Sequence, residues 1–149
     1  MRRISGYDPK FHDDLVRLVE RFHDEYLQAN YTQISRPVLE KTISIFSGEP
    51  KQPSFFLVVD EKCVGVMGGV EIKSELNDQR FFQEVLWYIE PEHGHKVLWF
   101  LTEIQQQLKN LGFSSIIMSI FENRNSQKLK RICERIGFKQ LETHYSKAL

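Results

Sequence analysis

Two thiols, a close pair among the five imidazoles, a carboxylate inside an apolar run and a short run of cations stand out by type and placement as candidates for chemistry. Cys63 and Cys133 are the two cysteines. They form no Cys-x-x-Cys pair, which excludes a zinc site built on thiolates. Cys133 lies one turn after Leu129 and three residues before Ile136, so it is either a buried structural thiol or a reactive one. His93 and His95 stand at i and i+2. That spacing suits metal binding on a strand better than at a helix start, and no third ligand accompanies it, so no metal is expected. Glu84 sits inside Phe81 to Glu90 (FFQEVLWYIE), either as a polar residue on the solvent side of a strand or as a working carboxylate. Lys128, Lys130 and Arg131 read as a solvated helix face or as an anion contact.

The elements that must position these residues follow from period and punctuation. Residues 2–7 form a short strand. Asp8-Pro9 starts a helix, with Asp as N-cap and Pro at the first helical position. Phe11, Leu15, Leu18, Phe22 and Tyr26 run along it as one stripe, widened by Val16, Val19 and Leu27. Asn30 to Ser35 is a polar break. Ser35-Arg36-Pro37 opens a second helix, carried by Val38, Leu39, Ile43 and Ile45-Phe46, and Gly48 to Pro53 ends it. Ser54 to Val59 and Cys63 to Ile72 are strands of one hairpin around Asp60-Glu61-Lys62. Gly65, Gly68 and Gly69 point to a bulge or a close backbone approach. Phe81 to Glu90 is the next strand, stopped by Pro91. Lys96 to Leu111 is helical up to Gly112. Ser114 to Phe121 is a buried strand. Asn123 to Ser126 caps a helix that closes at Gly137, and Phe138 to Lys147 is a last strand. Trp87, Tyr88, Trp99 and Phe100 read as core, with Trp99 or Phe100 open to pairing with a partner. The order β-α-α-β-β-β-α-β-α-β implies a mixed sheet with helices on its faces.

The 149 residues are one domain's worth, 1–149, at 41% hydrophobic and 27% charged. Twenty basic and twenty acidic side chains cancel, which removes the electrostatic case for nucleic acid or an anionic membrane as main partner. No stretch approaches the roughly 18 apolar residues of a membrane span. The opening MRRISGYDPK has no apolar region behind its arginines, so it does not read as a secretory signal. Two isolated cysteines fit a reducing compartment, and a cytoplasmic protein is expected.

The element order, together with Leu86-Trp87-Tyr88-Ile89-Glu90-Pro91-Glu92-His93, Leu111-Gly112-Phe113 and Asn125 through Gly137-Phe138, resembles the GCN5-related N-acetyltransferase superfamily over nearly the whole chain. The resemblance implies an α+β fold, a central mixed, mostly antiparallel sheet with helices on both faces. It implies acetyl-coenzyme A as co-substrate and an amine acceptor. The family's phosphate loop corresponds to Glu92-His93-Gly94-His95-Lys96-Val97, where Gly94 is the one glycine and the two closing glycine positions hold His95 and Val97. His93, Gly94, His95, Lys96 and Val97 would then serve through main-chain amides at a helix start and the charge of Lys96. Trp87, Tyr88 and Ile89 would offer backbone groups to the acetyl and pantetheine arm. Asn125 matches the family's asparagine, and Lys128 would meet the 3′-phosphate. The family's acid tyrosine corresponds to Cys133, and Tyr145 or Cys133 would substitute for it. Glu84, seven residues before Pro91, corresponds to the catalytic acid side chain of many members. The ending Tyr145-Ser146-Lys147-Ala148-Leu149 resembles the finish of small acetyltransferase-like proteins of bacteriophages, which implies a host-cell cytoplasm. Members of this size pair through their last strands, which implies a homodimer.

Transfer of an acetyl group to an amine needs a base, because an alkylammonium has a pKa of about 10.4. The resemblance makes Glu84 that base, directly or through water, with a backbone N–H near Leu86 to Tyr88 facing the oxyanion. A thiol leaves with a pKa of roughly 8.5, so a dedicated acid is not mandatory. The alternative reading is a non-catalytic descendant of the fold that binds a protein partner, such as a host protein.

Overall fold

The computed structural model describes residues 1–27, 35–46, 51–145, 147 and 149. The polar break between the first two helices, Ser35 apart, lies outside the described residues. So do Gly48 of the expected stop and Ser146 and Ala148 of the ending.

Five strands make one sheet in chain order: β1 (Arg2–Ser5), β2 (Ser54–Val59), β3 (Lys62–Lys73), β4 (Arg80–Ile89) and β5 (Ser115–Ile117). The first four pair antiparallel and β5 runs parallel to β4. This is the expected mixed, mostly antiparallel sheet. Helices α1 (His12–Phe22) and α2 (Arg36–Ile45) cover one face, where Leu15, Leu18, Phe22, Leu39 and Ile43 pack on Phe56, Val66, Leu86 and Tyr88. Helices α3 (Val97–Asn110) and α4 (Ser126–Arg135) cover the other, where Phe100, Leu101, Ile104 and Cys133 pack with Phe55, Leu57, Met67 and Phe82. Each strand of the centre is therefore buried on both sides, which is why β2 and β3 read as unbroken apolar runs.

Local chemistry explains most boundaries. The Asp8 carboxylate accepts from the Lys10 amide at 3.0 Å, and Pro9 opens a 3₁₀ turn that runs into α1. The two-residue hairpin loop is Asp60-Glu61, both at positive φ, while Lys62 already belongs to β3. Gly137, at φ 95°, ends α4, and the Phe138 amide returns to the Cys133 carbonyl.

Two expected strands differ. Ser114 to Phe121 pairs only through Ser115–Ile117. The described residues of Phe138 to Lys147 form no strand. Among its described residues only Phe138 packs on the core, and Leu141 is the one aliphatic residue between Lys139 and His144, so no apolar face offsets the cost of ordering it. Trp99 is half-buried beneath the Arg2 guanidinium and Phe100 is fully buried, so neither ring is an open face for a partner.

The sheet's centre carries a β-bulge. Gly68 pairs with Leu86 and Gly69 with Glu84, which leaves Val85 as an extra residue on β4. Phe82 before it faces α3 and α4, whereas Leu86 and Tyr88 after it face α1 and α2. The glycines opposite are required by space. A Cβ on Gly69 would stand 2.3 Å from the Gln83 carbonyl oxygen, and one on Gly68 would stand 1.9 Å from the Phe46 ring. Gly69→Ala should therefore push on the β4 main chain and destabilise the fold by about 1–3 kcal/mol, read as a lower urea midpoint at unchanged slope.

Candidate functional site

Beyond Gln83 and Ile117, β4 and β5 cease to pair among the described residues. Two side chains from β4 hold the gap. The Glu84 carboxylate accepts the Ser119 amide at 2.9 Å, and the Trp87 indole N–H donates to the Ser119 carbonyl at 2.8 Å. Both main-chain groups of Ser119 are thus satisfied by side chains rather than by a ladder. The bulge explains how: after the extra residue, Trp87 lies on the same face as Glu84 instead of the opposite one.

A cavity of about 300 Å³ runs through this opening and is lined from both sides of the sheet. Phe22, Glu25 and Tyr26 come from α1 and its continuation, and Val97, Leu129 and Ile132 come from α3 and α4. Trp87, Tyr88 and Ile89 of β4 and Ser119 to Phe121 form the edges of the gap.

Position on α1 is set by charge. The Asp14 carboxylate accepts the Cys63 amide at 2.8 Å, and Arg17 donates to the Cys63 carbonyl at 2.8 Å. Arg17 and Arg21 both donate to Glu90, a buried carboxylate at the end of β4, whose own amide donates to Val64. After Phe22 the helix widens into one π turn, His23–Leu27, which brings Glu25 and Tyr26 onto the cavity wall. The Tyr88 hydroxyl donates to Glu25, and burial with that carboxylate beside it holds the phenol well above its ordinary pKa. Tyr26 is raised as well, by burial first and Glu25 second.

Of the residues expected around a cofactor, Trp87, Tyr88, Ile89, Gly94, Val97, Asn125 and Lys128 line the cavity. His93, His95 and Lys96 do not. They belong to the 3₁₀ turn Pro91–Lys96, where Lys96 Nζ lies 2.6 Å from His95 Nε2. Burial and then Lys96 lower the His93 pKa. No group of three or more metal-ligating side chains occurs among the described residues. Asn125 holds the N-cap position of α4, but its side chain makes no capping bond; the Asn123 carboxamide accepts the Asn125 amide at 2.7 Å instead. That leaves the Asn125 side chain on the cavity wall.

The expected catalytic residues separate. Glu84 lies behind Ser119, buried, and burial without a counter-charge pushes its pKa up to about 7 against the Ser119 hydrogen bond. Cys133 is buried among apolar residues, with its pKa pushed up to about 11. Tyr145 is 93% exposed on the terminal stretch. None of the three lines the cavity. Glu25, Tyr26, Asn123 and Phe121 do, and sequence reading passed over them. Tyr26 stood on the apolar stripe of α1, but nothing in its spacing marked the π turn that brings Glu25 round beside it.

Glu84 makes stability depend on pH in a predictable direction. Its folded pKa is raised above 4.5, so the folded chain holds a proton that the unfolded chain releases. The contribution is complete below about pH 4.5 and lost as pH rises through about 7. Glu84→Gln keeps an acceptor for Ser119 and has no charge to bury. The variant should match the parent near pH 4 and exceed it by up to about 3 kcal/mol at pH 8, measured by urea unfolding across pH.

No protein-family model and no curated protein matches this sequence. Solved structures do. A ribosomal-protein-alanine N-acetyltransferase from Brucella melitensis biovar Abortus 2308 aligns over 100% of this chain and 99% of its own, at 13% identity and a TM-score of 0.73. A possible acetyltransferase from Clostridium difficile 630 aligns over 100% and 98%, at 14% identity and a TM-score of 0.74. AAC(6')-Iy, solved with the bisubstrate analogue CoA-S-monomethyl-acetylneamine, aligns over 100% and 99%, at 11% identity and a TM-score of 0.71. The mostly antiparallel five-strand sheet with helices on both faces aligns with these structures over nearly its whole length: this chain has the fold of the GCN5-related N-acetyltransferases.

Proposed function

We propose that the protein is an acetyl-coenzyme A dependent N-acetyltransferase acting on an amine. The observation that carries this reading is the gap between β4 and β5, with a cavity running through it and Trp87, Tyr88 and Ile89 on its wall. The lining suits a thioester of coenzyme A. β4 beyond Gln83 offers an edge without a strand partner on the β5 side, which an extended, amide-bearing arm can pair with. Gly94 leaves open space where a Cβ would stand, and Lys128 supplies a cation for a phosphate. The solved neighbours support the same general chemistry, and one of them holds a compound derived from coenzyme A.

Within this proposal the ammonium gives one proton to Glu84 through water at the Ser119 gap. The freed nitrogen then bonds to the acetyl carbon, the carbon–sulfur bond breaks with its electron pair on sulfur, and nitrogen's second proton ends on the thiolate. A carboxylate with a pKa near 7 suits this task, because it is partly ionised at neutral pH and is a stronger base than an exposed one. Glu84 does not line the cavity itself but bonds Ser119, which does; Cys133 and Tyr145 have no part in the proposal. The buried, unpaired thiols of Cys63 and Cys133 fit a reducing cytoplasm.

Calorimetric titration with acetyl-coenzyme A should show binding, and turnover should rise with pH through about 7. Glu84→Gln should keep the affinity, remove that limb of the pH profile and slow turnover by about 100-fold or more. No heat and no thermal shift at millimolar ligand would overturn the transferase reading and leave the non-catalytic, partner-binding one. An unchanged pH profile in Glu84→Gln would reject Glu84 as the base.

A further inference from the structure

On the α1 side of the gap, four aromatic rings meet around one carboxylate. Ring centroids stand 5.4 Å apart for Phe22–Tyr26, 5.6 Å for Phe22–Phe121, 5.8 Å for Tyr26–Phe121, 6.2 Å for Tyr26–Tyr88 and 6.4 Å for Phe22–Tyr88. All four rings line the cavity, and Glu25 lines it with them. Glu25 Oε1 accepts the Tyr88 hydroxyl and lies 3.9 Å from Arg21, while Oε2 makes no hydrogen bond with any described residue. Aromatic faces carry a negative quadrupole, and rings grouped beside a carboxylate form a site for an organic cation.

We infer that the acceptor is a small apolar primary amine bearing a single positive charge, its ammonium held by Glu25 against Tyr26, Tyr88 and Phe121. The inference rests on the transferase reading for the fate of the amine, but not for its binding. Three features narrow the ligand. Glu25 is the one acid among the described residues that line the cavity, so a polycation would leave charges without partners. Four rings make up most of this end of the wall and the Asn123 side chain is bonded to Tyr26, so the several hydroxyls of a sugar amine would find few partners. The cavity, about 300 Å³, also has to admit the acyl arm, which limits the acceptor to a short chain or a single ring. Tyr88, whose side chain bonds Glu25, and Trp87, whose indole bonds Ser119, are consecutive on β4 and point to opposite faces, so the amine site and the Ser119 gap lie on the two sides of one strand and share one cavity.

Phenethylamine tests this by calorimetry on the full chain, with and without coenzyme A. The comparators are phenethyl alcohol (the same shape without charge), glucosamine and a tripeptide with a free N-terminal alanine. The amine should bind at least about tenfold tighter than each of them. Glu25→Gln should weaken the amine by about tenfold or more and leave the alcohol unchanged. Phe121, 40% exposed, can be cut to alanine without opening the core, and Phe121→Ala should also weaken the amine. The inference is overturned if the alcohol binds as well as the amine, if glucosamine or the peptide binds tighter, or if both variants bind amine like the parent. Binding of acetyl-coenzyme A without binding of amine sinks this inference alone. Binding of amine without binding of acetyl-coenzyme A sinks the transferase reading alone.

Discussion

One extra residue in β4 sets the geometry on which the rest depends. With Val85 unpaired, β4 turns its alternation by one position and no longer meets β5 in register. A strand that parts from its neighbour leaves main-chain donors and acceptors that must bond elsewhere or be hydrated. Glu84 and Trp87 resolve this at Ser119, taking its amide and its carbonyl in place of a ladder. The opening is therefore held at Ser119 by two side-chain hydrogen bonds, while β4 keeps an edge without a strand partner. Its width is set by side chains, which is why it can be wide enough for a cavity and still belong to the core.

The second constraint is electrostatic. A carboxylate as buried as Glu90 would cost several kcal/mol unpaired, and two guanidiniums from α1 compensate it. Those guanidiniums are a third exposed, so the net gain in stability is modest; their larger effect is to fix register. Arg17 and Arg21 stand one turn apart and grip the same carboxylate, while Asp14 and Arg17 hold both main-chain groups of Cys63. A slide of α1 by one residue would break all of these at once. Phe22, Glu25 and Tyr26 follow directly on the same helix and its π turn, so the acidic, aromatic end of the cavity is placed by a network that touches no ligand.

Most of the fold was legible because period and punctuation agreed. The stripe from Phe11 to Tyr26, the proline at the start of α2, the apolar run of β2 and the glycines closing α3 and α4 all report local physics, and local physics survives in one sequence. Gly68 and Gly69 signalled a bulge or a close approach, and both occur there, although the extra residue sits on the partner strand. What stayed illegible depends on the neighbour. β5 looked eight residues long because Met118, Ile120 and Phe121 are apolar. They are apolar for the cavity wall and the helices, not for a strand partner. The expected last strand has too little apolar surface to hold it. In the site, the strand residues Trp87 to Ile89 could be read from their position before Pro91. Glu25 could not, since an exposed glutamate in a helix is ordinary until a π turn and a tyrosine from another element surround it.

Glu84 joins the architecture to the proposed chemistry. The same carboxyl props the gap and, in the proposal, takes the amine's proton. The two duties are compatible because an ionised carboxylate and a protonated carboxyl both keep an oxygen that can accept the Ser119 amide. Proton uptake then changes the charge at the gap without closing it. The burial that pushes Glu84 up to about 7 is the burial that the strand separation requires, since a carboxyl reaching across the sheet to Ser119 is largely withdrawn from bulk solvent. A basic carboxyl near neutral pH therefore follows from holding the gap with a glutamate; a glutamine would hold it equally well and could not accept the proton.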